Sequence, residues 1–287
     1  MVLRLLFLAT ALAGCRQAPP SSGAVSLTDD GGAVVRLAGP ATRVVSLIPA
    51  ATEILFALGA GPSLVGRTRW CDYPAAAARV ESVGDGIGPN VELVAARLPD
   101  LVVMYRSGAN DGAVARLRSL GIPVLVLALD RLADFDRSVN LLAAAIGRPA
   151  VGDSLIAATH ADLEAATVAG GPRPRLLVLA WSDPPIAIGR GSFLSEILDR
   201  AGADNIFADV DRASFPVSIE AVAERNPEAV LVVGDEDPPI ADRSEWRAVR
   251  AVADRRFVHV NGSEFNRPSP RIGAAVRGLA TALARFR

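Results

Sequence analysis

VELVAARLPDLVV occupies residues 91–103, and IEAVAERNPEAVLVV occupies residues 219–233. At an offset of 128 (Glu92 to Glu220), Val94 aligns with Val222, Ala95 with Ala223, Arg97 with Arg225 and Pro99 with Pro227. Each stretch reads as a short helix, a proline that ends it, and an apolar run short enough to be a buried strand. One phrase written twice with Glu, Arg and Pro in register implies two related structural units.

Working outward, each phrase sits in an alternating strand–helix context. Around the first, RVVSLI (43–48) reads as a buried strand, and ATEILFALG (51–59) as a helix stopped by Gly59. LVGRT (64–68) is a short strand, DGAVARLRSLG (111–121) a helix, and IPVLVLAL (122–129) a strand. VSLTDDGGAVVRL (25–37) carries a hairpin signal at Asp-Asp-Gly-Gly. Around the second, RLLVLAW (175–181) and RRFVHV (255–260) read as strands, FLSEILDRAG (193–202) as a helix, and 269–286 as a closing helix. Residues 134–170 are Ala-rich and nearly all helical, interrupted at Gly147-Arg148-Pro149. The expected fold is therefore α/β, with two lobes of mostly parallel sheet joined by a single long helix. The division expected is 25–146 for the N-terminal lobe, 147–170 for the connecting helix and 171–287 for the C-terminal lobe.

The 287 residues carry a formal net charge of −1, and all 30 basic residues are Arg. That balance gives no footprint for nucleic acid. The chain opens MVLRLLFLATALAGC, with Arg4, a short apolar run and small residues before Cys15. This is the pattern of an export signal over 1–14, too short to span a bilayer. Leu12-Ala13-Gly14-Cys15 looks like a lipobox, so Cys15 is expected to be lipidated and to anchor the protein to a membrane through a tether over 15–24. Cys71 is then unpaired and is expected to be buried as a small apolar group.

Catalytic signatures are missing: no G-x-S-x-G, no phosphate-binding loop, no H-E-x-x-H. GDGIG (84–88) lacks dinucleotide spacing and reads as a loop needing backbone freedom. His160 and His259 are the only histidines, and structural roles are expected for both, which argues against a receptor for a free transition metal. No metal site, no resident cofactor and no enzyme are expected. The few aromatics fall at strand ends or in loops: Trp70, Tyr73, Tyr105, Trp181, Phe215 and Phe265. Strand carboxyl ends are where α/β sheets hold ligands, so these rings point to a flat, apolar-faced molecule in a cleft between the lobes.

The run RVVSLIPAATEILFALGAGPSLVGRTRWCDYP (43–74) resembles the cobalamin-binding receptors of bacterial ABC importers, a group within a wider family that takes up ferric siderophores and haem. The likeness continues through 90–105, SFPVSIEAVAERNPEAVLVV (214–233) and RPSPRI (267–272), and covers residue 25 onward. The resemblance implies two α/β lobes on one rigid helix, with only small closure on binding. It implies that Glu92 and Glu220 dock onto Arg residues of the two permease subunits, which also accounts for the repeated phrase. Trp70, Tyr105, Trp181 and Phe215 fall at or near corrin-contacting positions, and Arg267 matches a cleft Arg. Two departures stand out: Gly86 where a cobalamin receptor has Trp, and Ser263 where it has Asp, with Glu264 adjacent. The expected protein is an extracytoplasmic lipoprotein that delivers a corrinoid, cobalamin or cobinamide, to an ABC permease. A receptor for ferric siderophore or haem is the alternative, and a hydrolase or chelatase acting on such ligands a third.

Overall fold

A computed structural model describes residues 23–286, so Cys15 and the export signal expected over 1–14 lie outside the described residues. The chain opens with a hairpin of β1 (Val25–Thr28) and β2 (Val34–Leu37), paired antiparallel across the expected Asp-Asp-Gly-Gly turn. Asp29 builds that turn by accepting from the backbone N–H groups of Gly31 and Ala33 at 2.9 and 2.8 Å. Then follow β3 (Val44–Ser46), α1 (Pro49–Ala57), β4 (Leu64–Arg67), α2 (Val91–Ala95), β5 (Leu101–Tyr105), α3 (Asp111–Ser119) and β6 (Val124–Leu127). The four strands after the hairpin form a parallel sheet in the order β4-β3-β5-β6. Its inner strands are apolar at successive positions because helices and loops cover both faces.

Two helices come next, α4 (Ala133–Ala145) and α5 (Pro149–Ala166). Gly147, at φ 70, turns the chain between them, and Pro149 opens α5 where a missing N–H is harmless. The second half runs β7 (Arg175–Ser182), β8 (Pro185–Ile188), α6 (Phe193–Arg200), β9 (Asp204–Asn205), β10 (Ser214–Pro216), α7 (Ile219–Arg225), β11 (Ala229–Val233), α8 (Arg250–Ala253), β12 (Phe257–Val260) and α9 (Ile272–Leu283). Its sheet has the order β10-β8-β7-β11-β12, with β9 alongside β7. β7, β9, β11 and β12 are parallel, and β8 and β10 add an antiparallel edge. Pro185 opens β8 and Pro216 closes β10, which hides both strands from pattern reading.

The chain is thus α/β with two mostly parallel lobes, one sheet preceding α4 and the other following α5. α5 is the shared spine. His160 meets Asp136 of α4 at 2.8 Å, Arg277 of α9 pairs with Asp162 at 2.7 Å, and Arg200 of α6 with Glu164 at 2.5 Å. One apolar cluster includes Ile54, Leu142, Leu163, Leu176 and Val276, so the core is continuous from lobe to lobe. Phe265 is buried in that core at 2% exposure, which corrects its grouping with the ligand-facing rings.

The repeated phrase is repeated in space as well. Asn90 caps α2 by accepting from Leu93 N–H at 3.0 Å, and Ser218 caps α7 by accepting from Ala221 N–H at 3.2 Å. Glu92 and Glu220 stand exposed in the first turns. Arg97 binds Glu81 through both terminal nitrogens; Arg225 binds Asp209 likewise, at 2.7 and 2.8 Å. The acidic partners keep the offset of 128, Glu81 to Asp209. Leu98 and Asn226 leave the helices in the left-handed conformation at φ 48 and 45.

Candidate ligand-binding cleft

Between the lobes lies a cavity of about 740 Å³. The N-terminal lobe lines it with Leu47 to Ala50 beyond the carboxyl end of β3, with Trp70, Gly86 and Ile87 from loops, and with Tyr105 at the end of β5. The C-terminal lobe contributes Phe193 at the start of α6, and Asn266, Arg267 and Pro268 before α9. The lining is mainly apolar with a few polar atoms, the make-up of a site for a small organic molecule.

Trp70 stands at the rim, 59% exposed. Its indole N–H donates to Asp85 at 3.0 Å, and the Arg69 guanidinium, paired with the same carboxylate at 2.8 Å, lies 5.1 Å from its ring. A large apolar ring is therefore positioned by polar contacts and left available for stacking. Tyr105 donates its hydroxyl to Asp130. Burial, helped by that carboxylate, pushes its pKa well above the ordinary tyrosine value. The folded state holds this proton more tightly than the unfolded chain. The contribution to stability is thus full below pH about 10 and is lost as pH rises through the elevated folded value. A spectrophotometric titration should show Tyr105 still protonated at pH about 10. If Tyr105→Phe removed phenolate absorbance already present there, that environment would be misread.

Arg267 is only 9% exposed, and its Nη1 reaches Glu53 Oε1 at 3.3 Å and Asp72 Oδ1 at 3.0 Å. Glu53, on α1 of the other lobe, is itself 3% exposed and is gripped by Arg271 through Nε and Nη2 at 2.8 and 2.7 Å. Arg271 also binds Glu264 and Ser263 and lies 3.9 Å over the Tyr73 ring. Burial opposes the charge on Arg271, but Glu53 and Glu264 outweigh it and hold its pKa above the usual value. The TE of α1 and the RPSPR before α9, far apart in sequence, thus form one buried ionic cluster that joins the lobes beside the cleft. A second junction lies across the cavity, where Phe193 N–H donates to Asp130 O at 2.8 Å and Glu196 receives Arg131 and Leu132 N–H at 2.8 and 2.7 Å.

Of the rings singled out in the sequence, Trp70 and Tyr105 share the cavity with Arg267. Trp181, 62% exposed, lines an adjoining cavity of about 880 Å³ over β7 and β11, and Asn266 borders both. Phe215 lines neither; it packs edge-on against Phe207 at 5.4 Å, under the segment whose Ala213 reaches the cavity. Gly86 cannot carry a side chain here, because a Cβ would stand 2.2 Å from Leu47 O. Ile87 provides the apolar surface next to it. Cys71 is fully buried, in a nest of hydroxyls: Thr52 donates to its sulfur at 3.1 Å, and Thr68 Oγ1 lies at 3.2 Å. Among the described residues no three His, Cys, Asp or Glu side chains are grouped to hold a metal ion. Glu53 and Arg271 escaped sequence reasoning, although a carboxylate inside the apolar helix ATEILFALG signals a buried charge that needs a partner.

Two α/β lobes on a helical spine, closing on an apolar cavity at their strand ends, define a solute-binding receptor. The chain belongs to the periplasmic binding protein family, whose family model matches residues 44–263. It is a family of extracytoplasmic binding proteins, not of enzymes. The vitamin B12-binding protein of Salmonella typhimurium is 32% identical over 247 residues, 85% of this chain and 90% of that one. Among solved structures, the periplasmic vitamin B12 binding protein BtuF of Vibrio cholerae matches with 28% identity and a TM-score of 0.68, covering 85% of this chain and 97% of that one. The apo periplasmic heme-binding protein RhuT from Roseiflexus sp. RS-1 matches with 25% identity and a TM-score of 0.75, covering 85% and 98%.

Proposed function

We propose that this chain is the receptor of an ABC importer for a corrinoid, cobalamin or cobinamide. The observation that carries the reading is the apolar cavity of about 740 Å³ at the strand ends, rimmed by Trp70 and Tyr105. Its scale suits a large flat ring, and the relatives named vitamin B12-binding protein support the ligand class. In this reading Trp70 and Tyr105 contact the ring from the N-terminal lobe and Trp181 from the adjoining cavity, with Phe215 beneath the wall. Arg267, with one terminal nitrogen committed to carboxylates, bonds to polar substituents through the rest of its fork. Glu92 and Glu220 dock on the two permease subunits, and Cys15 carries a lipid anchor. Residues 25–146 and 171–287 act as the lobes, with 147–170 connecting them.

Haem is the second reading, favoured by the likeness to RhuT and by a tyrosine at the cavity. Against it, Tyr105 keeps its proton firmly and donates it to Asp130, so it makes a poor phenolate ligand for iron. Calorimetric titration of the chain from residue 16 with cyanocobalamin, cobinamide, haem and a ferric siderophore tests the proposal. Tight one-to-one binding of a corrinoid is expected, and Trp70→Ala should weaken it about tenfold, a stacking contribution of roughly 1–1.5 kcal/mol. A signal from haem or siderophore alone would overturn the ligand and keep the transport role.

A further inference from the structure

The loop GDGIG (84–88) matches no nucleotide motif, yet Asp85, Gly86 and Ile87 all line the cavity. The core holds the loop at its two ends, through Val83 and Pro89, both buried. Between them its ties are polar. Asp85 takes the Trp70 indole and the Arg69 guanidinium. The residues after it are held by Asn110. The Asn110 amide nitrogen donates to Gly86 O at 3.1 Å and to Tyr105 O at 2.9 Å, and its amide oxygen accepts from Gly88 N–H at 3.0 Å. Both donor hydrogens and the oxygen are therefore engaged. One side chain joins the loop to the end of β5.

Asn110 is 1% exposed and is not among the residues lining the cavity. It stands at the start of α3, where asparagine ordinarily accepts from the helix's own first N–H groups. Here it makes no such bond. Ser107 instead caps the short 3-10 turn Gly108–Asn110, accepting from Ala109 N–H at 3.3 Å. The amide of Asn110 is thereby left for the loop. Ile87 sits between the two peptide groups that this amide grips. Its side chain is apolar, 53% exposed and on the cavity, so it contributes little to the core. An apolar group held into a cavity by a buried clamp is ordered on folding and not at binding, which raises affinity.

We propose, on the reading of this cavity as the corrinoid site, that Ile87 is a ligand contact and that Asn110 is the positioning residue that sets it against Tyr105. In this role Asn110 does not touch the ligand. It fixes an aliphatic wall relative to an aromatic one, so that a flat ring meets both at once.

Ile87→Ala, Asn110→Ser and the two combined test this in the purified protein. Wild type is first titrated by calorimetry with cyanocobalamin, cobinamide and haem. Ile87→Ala should weaken cyanocobalamin binding about five- to tenfold and leave the melting midpoint within about 1 °C. Asn110→Ser should weaken binding about tenfold by itself, but about twofold or less where Ile87 is already alanine, the non-additivity of a residue that acts through its neighbour. If Asn110→Ser fails to fold, Asn110→Asp replaces it in the cycle; it has the same shape but, ionised, no donor for Gly86 O or Tyr105 O. An equal loss in both backgrounds would make Asn110 a purely structural residue and overturn the positioning role. Unchanged affinity in Ile87→Ala, or a midpoint lowered by several degrees, would overturn the contact. A wild type that takes haem and no corrinoid would sink the corrinoid reading, and the cycle run with haem would then decide the wall by the same criteria. Binding of none of these probes would remove the cavity as a ligand site and the proposal with it.

Discussion

Glu53→Ala is expected to destabilise the protein by about 3 kcal/mol and to lower its melting midpoint by roughly 6–10 °C. The carboxylate is buried, with Arg267 and Arg271 closing on it from the opposite lobe. Removing one member of a buried ion pair leaves the other charged and poorly solvated, which costs more than the pair itself contributes. Glu264 and Asp72 still face the two arginines, so the loss belongs at the lower end of the usual range. Ligand affinity should fall too, since Arg267 lines the cavity and Arg271 rests on Tyr73 in the loop that carries Trp70. Thermal or urea unfolding checks the first effect. A loss below about 1 kcal/mol would mean that Glu264 and Asp72 suffice to satisfy both guanidinium groups.

Glu92→Ala combined with Glu220→Ala is expected to abolish uptake while leaving ligand affinity intact. Charge-assisted contacts cost about 2 kcal/mol or more each when truncated, so the two together amount to roughly a thousandfold in docking. Both carboxylates are exposed and lie outside the cleft, so the fold has little stake in either. Uptake of labelled corrinoid by cells, beside calorimetry on the purified variant, separates delivery from capture. Lost ligand binding in the double variant would mean the cleft had been misplaced.

The layout of the lobes was legible because it is written in local signals. Gly59, Gly121 and Gly147 take positive φ where helices stop, Pro149 opens the spine helix, and the strands are short apolar runs. The repeat was legible where it depends on helix and turn chemistry. Its acidic partners, Glu81 and Asp209, were not, because the loops that carry them differ and only the folded arginine reveals the match. The cleft was legible in part. Trp70 and Tyr105 end in loops or at a strand tip beside the cavity. Whether Phe215 faces the cavity or the core depends on the pairing of β10 with β8, a non-local fact, and a one-residue shift of register would reverse it. The ionic cluster joins residues more than 200 positions apart, as in Arg267 with Glu53, and no local pattern encodes such a meeting.

The spine helix has a consequence for traffic at the membrane. With α5 packed against both α4 and α9 and one core running through the lobes, empty and loaded receptors should present nearly the same outline. A transporter meeting them would find Glu92 and Glu220 equally spaced in either case. Unoccupied copies would then queue for the same berth as occupied ones. Uptake would rise with receptor abundance only until idle copies crowd the entrance, and over-producing the receptor at scarce ligand should slow import.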